Sequence, residues 1–355
     1  MSGLSRTEAT ALGVVATLTL LAGVARYAHG FSESVAFVLA ALALAGQAWV
    51  VGFATEQLGM RFGPAITGTL QSTVGNLPEF FVVVFALQAR ATTVAETAIL
   101  GSILVNALLV LGLVLVVGAL RAPTGIMRFS PRLPNDTATL TLAASFLIVL
   151  LGVVNFSHNS ADLHTRTISV VGAVVLLVVY GTWMRGYLRS DERPAAEQLE
   201  PPRIGLAASA VLLVAAGVGS AFVSDWFVHA LEPTIRAWHL SQAFAGIVIV
   251  AIAGNAVENV AGIYLAYKGK SDLAISVVKN SVAQLAAFLY PALVLVSLLT
   301  ASSLTFALAP VYVAALLGTA IMMWQITGDG EATPFEGVAL IAMYVVLAVI
   351  AAFET

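Results

Sequence analysis

Long apolar runs follow one another along almost the whole chain, and charged residues fall between them or at their ends. A helix rises about 1.5 Å per residue and the hydrocarbon core of a bilayer is about 30 Å thick, so a run of about twenty apolar residues predicts a membrane-spanning helix. Eleven such spans can be drawn, at about 8–27, 34–55, 64–88, 94–119, 137–155, 167–186, 204–224, 240–267, 272–299, 303–326 and 333–353. The stretch from Tyr187 to Arg203 breaks the pattern. It carries Arg189, Asp191, Glu192, Arg193, Glu197, Glu200 and Arg203, with Pro194, Pro201 and Pro202. It is too polar to span and predicts a linker; its four acidic residues read as a solvated loop ahead of a regulatory calcium site.

The linker follows the sixth span. With the first span set aside, ten remain, five on each side of the linker. An odd number of spans per repeat forces the two halves into opposite orientations, the architecture of many secondary transporters. The expected fold is an all-α integral membrane protein of about eleven helices. Its expected organisation is an extra N-terminal helix (1–30), a first five-helix repeat (31–187), a cytoplasmic linker (188–203) and a second five-helix repeat (204–355). Eleven Lys and Arg lie in loops on the N-terminal side of the membrane and four on the other. The excess of positive charge predicts a cytoplasmic N-terminus and linker and an outside C-terminus in the cell membrane.

Composition narrows the chemistry. Of 355 residues, 59% are hydrophobic and 10% charged, and the mean hydropathy is +0.96. A soluble domain could not hide that much apolar surface. There is no cysteine, which excludes disulfides and thiolate metal sites. The five histidines form no HExxH pair, and no nucleic-acid signature is present. The first apolar stretch lacks a cleavage context and reads as a retained span. No cofactor is expected beyond a transported cation; the partners are that cation, protons and the bilayer.

One short motif occurs twice, inside apolar runs. Gly75-Asn76-Leu77-Pro78-Glu79 and Gly254-Asn255-Ala256-Val257-Glu258 lie 179 residues apart, and Ser102 and Ser281 in the following spans keep the same offset. Glu79 and Glu258 are the carboxylates deep in the predicted spans. A carboxylate in hydrocarbon is costly and marks a cavity, an ion site or a proton relay. The pair predicts one ion site at the centre of the inverted repeat. Ser72, Asn76 and Glu79 share a helical face. Pro78 removes a helical hydrogen bond and predicts a kink; Val257 in its place predicts a milder break in the second copy. Ser102 and Asn106 share one face and Ser281 and Gln284 another. Such oxygens suit a hard cation like calcium, which takes about six to eight of them. The same carboxylates can take protons instead, and mutually exclusive occupancy is the minimum for antiport. Each Ser or Asn alone could equally serve helix–helix hydrogen bonding.

The run Gly254-Asn255-Ala256-Val257-Glu258-Asn259-Val260-Ala261-Gly262-Ile263 resembles the second repeat motif of the proton/calcium exchanger (CAX) branch of the calcium/cation antiporters. The stretch from Asn280 through Ser281, Gln284 and Phe288 to Pro291, and Gly101-Ser102-Ile103-Leu104-Val105-Asn106, are similar to the helices that follow each motif. The resemblance implies alternating access with Glu79 and Glu258 as cation and proton carriers. The candidate ligands are Glu79, Glu258, Asn76, Asn255, Ser102, Ser281, Asn106 and Gln284. Asn259 stands where the family has His, Asn280 where it has Gly, and Lys279 is an unusual intramembrane cation. The helical angle turns Lys279 away from Ser281, so it is expected to snorkel to the cytoplasmic interface; otherwise its ammonium would offset a carboxylate. The leading functional reading is Ca2+/H+ antiport. A sodium-linked or monovalent cation/proton exchanger, a cation channel and an intramembrane enzyme are the alternatives.

Overall fold

The computed structural model describes residues 3–28, 30–62, 76–189 and 202–354, without the side chains of 59–62, 132–134, 187–189, 257 and 258. Helices dominate: α1 (Arg6–Tyr27), α2 (Glu33–Phe62), α3 (Leu77–Gln88), α4 (Thr92–Arg121), α5 (Arg132–Phe156), α6 (Thr165–Arg189), α7 (Leu206–Ala237), α8 (Gln242–Gly254), α9 (Ala256–Tyr267), α10 (Ser271–Leu299), α11 (Pro310–Thr327) and α12 (Pro334–Phe353). A two-residue antiparallel ribbon, β1 (Met127–Arg128) and β2 (Glu331–Ala332), joins the loops before α5 and α12. Among the described residues nine helices are long and apolar enough to cross a membrane, or ten if the bent pair α8 and α9 counts as one span. The eleven drawn from sequence are therefore not all present there. The remaining one, at 64–88, falls in part on residues outside the described ones; its described part is α3, twelve residues long. Ser72, Gly75 and the linker from 190 to 201 lie outside the described residues.

Two compact units divide the chain: Met1–Phe85 with Gly181–Leu240, and Ala86–Tyr180 with Ser241–Thr355. Each draws on both sides of the linker, so these units cut across the sequence division at 188–203.

In the first unit α1, α2 and α7 pack through small residues. Gly46 lies against Val15, and a Cβ there would come within 2.9 Å of its Cγ2. Val15, Val50, Val51 and Ala216 form one buried cluster. Lipid gives no hydrophobic drive for helices to associate, so such close fits and polar bridges hold them. Gln47 Nε2 donates to Thr19 Oγ1 at 2.9 Å across α1 and α2. Glu8, which closes a capping box with Ser5, pairs with Arg203 at 2.6 Å. The backbone N–H of Arg203 donates to Gln57 Oε1 at 2.8 Å. The chain thus leaves the linker tied to both α1 and α2.

In the second unit α4 and α10 are the most buried of the long helices. Helices α4 and α8 cross backbone to backbone. A Cβ on Gly101 would sit 2.5 Å from Ile247 Cα, and one on Gly246 2.0 Å from Thr97 Oγ1. The apolar run drawn at 303–326 becomes helical only at Pro310, which occupies the first turn of α11. The stretch before it is irregular yet buried, with Leu304, Phe306 and Leu308 almost inaccessible. Its backbone is satisfied internally: Leu304 N donates to Ser297 Oγ at 2.9 Å and Phe306 N to Ser169 Oγ at 3.2 Å. Irregular backbone at membrane depth is tolerated when protein covers it in this way.

Candidate functional site

Helices α3 and α9 begin and end at the same offset of 179 residues as the sequence motif, Leu77 with Ala256 and Gln88 with Tyr267. The helices that follow also start in step, Thr92 with Ser271. Each then widens into a π-helical turn, Val105–Val110 in α4 and Leu285–Leu289 in α10. Such turns cost regular hydrogen bonding and concentrate at functional sites. Glu79 and Glu258 therefore occupy matching places, in the first turn of a short helix. There the N-terminal end of the helix dipole favours negative charge.

In the first unit, Asn76 and Glu79 are both buried. The Asn76 Nδ2 group is buried without a hydrogen-bond partner among the described residues. Pro78, one residue before the carboxylate, offers its carbonyl to Ser224 Oγ of α7 at 3.4 Å. The residue whose carbonyl Pro78 was expected to free, Val74, lies outside the described residues.

In the second unit, four of the predicted residues form one network. Asn106 Nδ2 donates to Asn255 Oδ1 at 2.7 Å and to Ser281 Oγ at 3.3 Å. Asn255 Nδ2 donates to Ser102 Oγ at 2.8 Å and to the carbonyl of Ala251 at 2.9 Å. The network links α4, α10 and the junction of α8 with α9. Asn255 itself breaks the helix there: its backbone leaves helical geometry at φ −95°, ψ 17°, and α8 and α9 meet at 60°. The first-copy break against which a milder one was expected from Val257 lies outside the described residues. The Asn255 side chain shares the Ala251 carbonyl with its own backbone N–H, which donates to the same oxygen at 3.2 Å. What the network leaves over is an acceptor: Asn106 Oδ1 is buried with no partner among the described residues. A buried oxygen of this kind is costly unless a cation or a proton donor reaches it. Gln284 is also buried, three residues beyond Ser281 on α10. The side chain of Glu258 lies outside the described ones.

Two features were not legible in the sequence. Lys279 does not snorkel. It is fully buried, and its Nζ donates to Thr327 Oγ1 at 2.6 Å. Thr327 is the last residue of α11, where the negative end of the helix dipole and the terminal carbonyls favour a cation. A fixed internal acceptor thus takes the place of the interface. Glu96 is a further carboxylate within a span, in the second turn of α4 and within electrostatic reach of Tyr290. Its position near the edge of the apolar run had hidden it.

The profile of the family described as Sodium/calcium exchanger protein matches residues 32–185 and 208–353. The Ca(2+)/H(+) antiporter ChaA of Bacillus subtilis (strain 168) is 29% identical over 322 residues, covering 89% of this chain and 92% of the relative. The vacuolar calcium ion transporter of Schizosaccharomyces pombe is 31% identical over 320 residues, 88% of this chain and 77% of the relative. The structure of native YfkE superposes with a TM-score of 0.81 at 26% identity, over 97% of this chain and 100% of that one. With both motif-bearing halves inside the matched residues, the chain belongs to the sodium/calcium exchanger protein family, on its proton/calcium exchanger branch.

Proposed function

We propose that the protein is a secondary active Ca2+/H+ antiporter working by alternating access, in which Glu79 and Glu258 take up either the cation or protons. The observation that carries this reading is the placement of the two glutamates at matching first-turn positions of the short helices α3 and α9, the second of which follows a bend of 60° from α8. Discontinuous helices supply backbone and side-chain oxygens to ions at the bilayer midplane in secondary transporters. The relatives named Ca(2+)/H(+) antiporter and vacuolar calcium ion transporter match 89% and 88% of the chain and support calcium as the cargo.

The coupling follows from charge. Two carboxylates balance one divalent cation, and the same oxygens, once protonated, no longer attract it. Carboxylates change hands between cation and protons and are never empty and ionised at low cost in a desolvated site. Asn76, Asn106, Asn255, Ser102, Ser281 and Gln284 supply or orient neutral oxygens, and the unpartnered Asn106 Oδ1 is the acceptor best placed to meet a cation. The protein is a transporter and not an enzyme, needs no resident cofactor, and lies in the cell membrane with its N-terminus and linker in the cytoplasm, in line with the Lys and Arg asymmetry.

The test is exchange in proteoliposomes with internal pH recorded across calcium, sodium and potassium. Glu79→Gln and Glu258→Gln are each expected to abolish cation-driven proton movement while the protein still purifies folded. Near-normal exchange in either variant, or cation flux without proton movement in the wild type, would overturn the proposal. One observation favours a monovalent-cation exchanger as the second reading. The fully buried Lys279 places a positive charge inside the second unit, which lowers divalent affinity if it acts on the ion.

A further inference from the structure

The ends of α1, α2 and α7 in the first unit enclose a polar cavity of about 240 Å³ that the exchange reaction does not use. Arg26, Glu33, Trp226 and His229 line it. Arg26 is the last charged residue of α1 and Glu33 the first residue of α2, so the cavity sits where apolar runs end and the membrane–water boundary begins. Trp226 and Tyr27 mark the same level: the indole N–H donates to the Tyr27 hydroxyl at 3.4 Å. Aromatic residues of this kind collect at the headgroup region. Gly23 lets the indole lie flat on α1, since a Cβ there would approach the ring to 3.0 Å.

The charges in this cavity are not used on each other. Among the described residues the Arg26 Nε is buried with no hydrogen-bond partner, and the guanidinium lies over the Tyr27 ring, 5.2 Å from its centroid. Neither Arg26 nor Glu33 belongs to an ion pair among the described residues. An arginine and a glutamate that share a cavity without pairing leave one site for an anion and one for a cation. A guanidinium presents a planar fork of donors suited to phosphate oxygens. A carboxylate accepts from an ammonium, and the imidazole of His229 adds one further polar contact. Pockets for drug-sized ligands begin at about 300 Å³, so this cavity fits a smaller group. Below it, exposed Leu20 and Val24 of α1 and Phe222 of α7 continue toward the membrane interior, one helical turn apart on each helix, as a path for acyl chains.

We propose that this cavity binds the headgroup of an aminophospholipid, with the phosphodiester on Arg26 and the primary ammonium on Glu33. The site ties α1, which lies outside the matched family residues, to α2 and α7 through a lipid.

Native mass spectrometry of the full chain in detergent tests it, with dioctanoyl phosphatidylethanolamine and dioctanoyl phosphatidylglycerol as probes. Soluble phosphoethanolamine and inorganic phosphate serve as competitors. The wild type is expected to retain one ethanolamine lipid with about tenfold preference over the glycerol lipid, a difference of about 1.4 kcal/mol. Glu33→Gln is expected to keep lipid binding and lose that preference. Arg26→Gln is expected to lose both adducts. Because Arg26→Gln also removes the contact over Tyr27, Glu33→Gln carries the test by itself. Equal retention of the two lipids by the wild type, an unchanged preference in Glu33→Gln, or displacement by inorganic phosphate as readily as by phosphoethanolamine would each overturn the proposal.

Discussion

At the residue scale, Asn255 does two jobs with one amide. It bonds the Ala251 carbonyl of α8, which its own backbone N–H also reaches, and joins Ser102 and Asn106 across to α4. Truncating it leaves several buried polar atoms unpaired, each at about 1–3 kcal/mol. Asn255→Ala is therefore expected to lower the thermal unfolding midpoint in detergent and to cut exchange by more than about tenfold; unchanged stability would show that the network is not a structural keystone. Lys279 leads to the opposite kind of expectation. Since its ammonium is held inside the protein by Thr327, Lys279→Met removes an internal positive charge and not a peripheral one. Calcium affinity relative to sodium should rise by about tenfold, equivalent to about 1.4 kcal/mol. Competition transport on wild type and variant decides the matter, and an unaltered ion preference would leave Lys279 as a helix-end anchor only.

At the scale of elements, the crossing of α4 and α8 depends on having no side chain at Gly101 and Gly246. The backbone of one helix occupies the space a Cβ on the other would need. Gly246→Val is expected to force the pair apart, at a cost of about 1–3 kcal/mol from overpacking, and to lower folded yield. Gly181→Ala, at an open position with nothing near the added Cβ, is the control and should be neutral. The crossing lies one turn before the π-helical segment of α4 and within that of α8. A shift there would therefore reach the Asn106 and Asn255 bonds, and exchange should fall along with stability. A Gly246→Val protein that unfolds and transports like the wild type would show that the helices can separate without consequence.

At the scale of the whole molecule, the division of charge among the loops sets the orientation. With no native cysteine, single cysteines can be placed at will. A cysteine at position 193 in the linker is expected to resist membrane-impermeant thiol reagents in intact cells, and one at 354 to react. Labelling at 193 from outside would reverse the orientation. The two compact units also bear on mechanism: the glutamate-bearing α3 is divided between them at Phe85 and Ala86, and α6 at Tyr180 and Gly181. A transporter whose units share a continuous helix must accommodate any alternating access in that helix or at its ends.

The sequence by itself determined that this is a membrane protein, roughly where most of its helices lie, and which residues are chemically out of place in lipid, although α7 runs on to Ala237 past the drawn end at 224 and α11 begins only at Pro310. Those facts are local. Hydrocarbon penalises charge and unpaired backbone so strongly that apolar run length and the exceptions to it can be read directly. The offset of 179 residues was equally legible, and it extends to the ends of α3 and α9. Only the tertiary structure decided what each exceptional residue does. Lys279 was expected at the interface, yet its side chain found Thr327, 48 positions along the chain. The bend after Gly254 falls at Asn255, whose backbone leaves helical geometry and whose amide joins groups on α4 and α8. The apolar stretch at 303–309 was long enough to be helical but is held irregular by Ser169 and Ser297. Each of these outcomes depends on a partner distant in sequence, and a buried polar group takes whichever partner the fold supplies because leaving it unpaired in a low-dielectric interior costs more than any local preference.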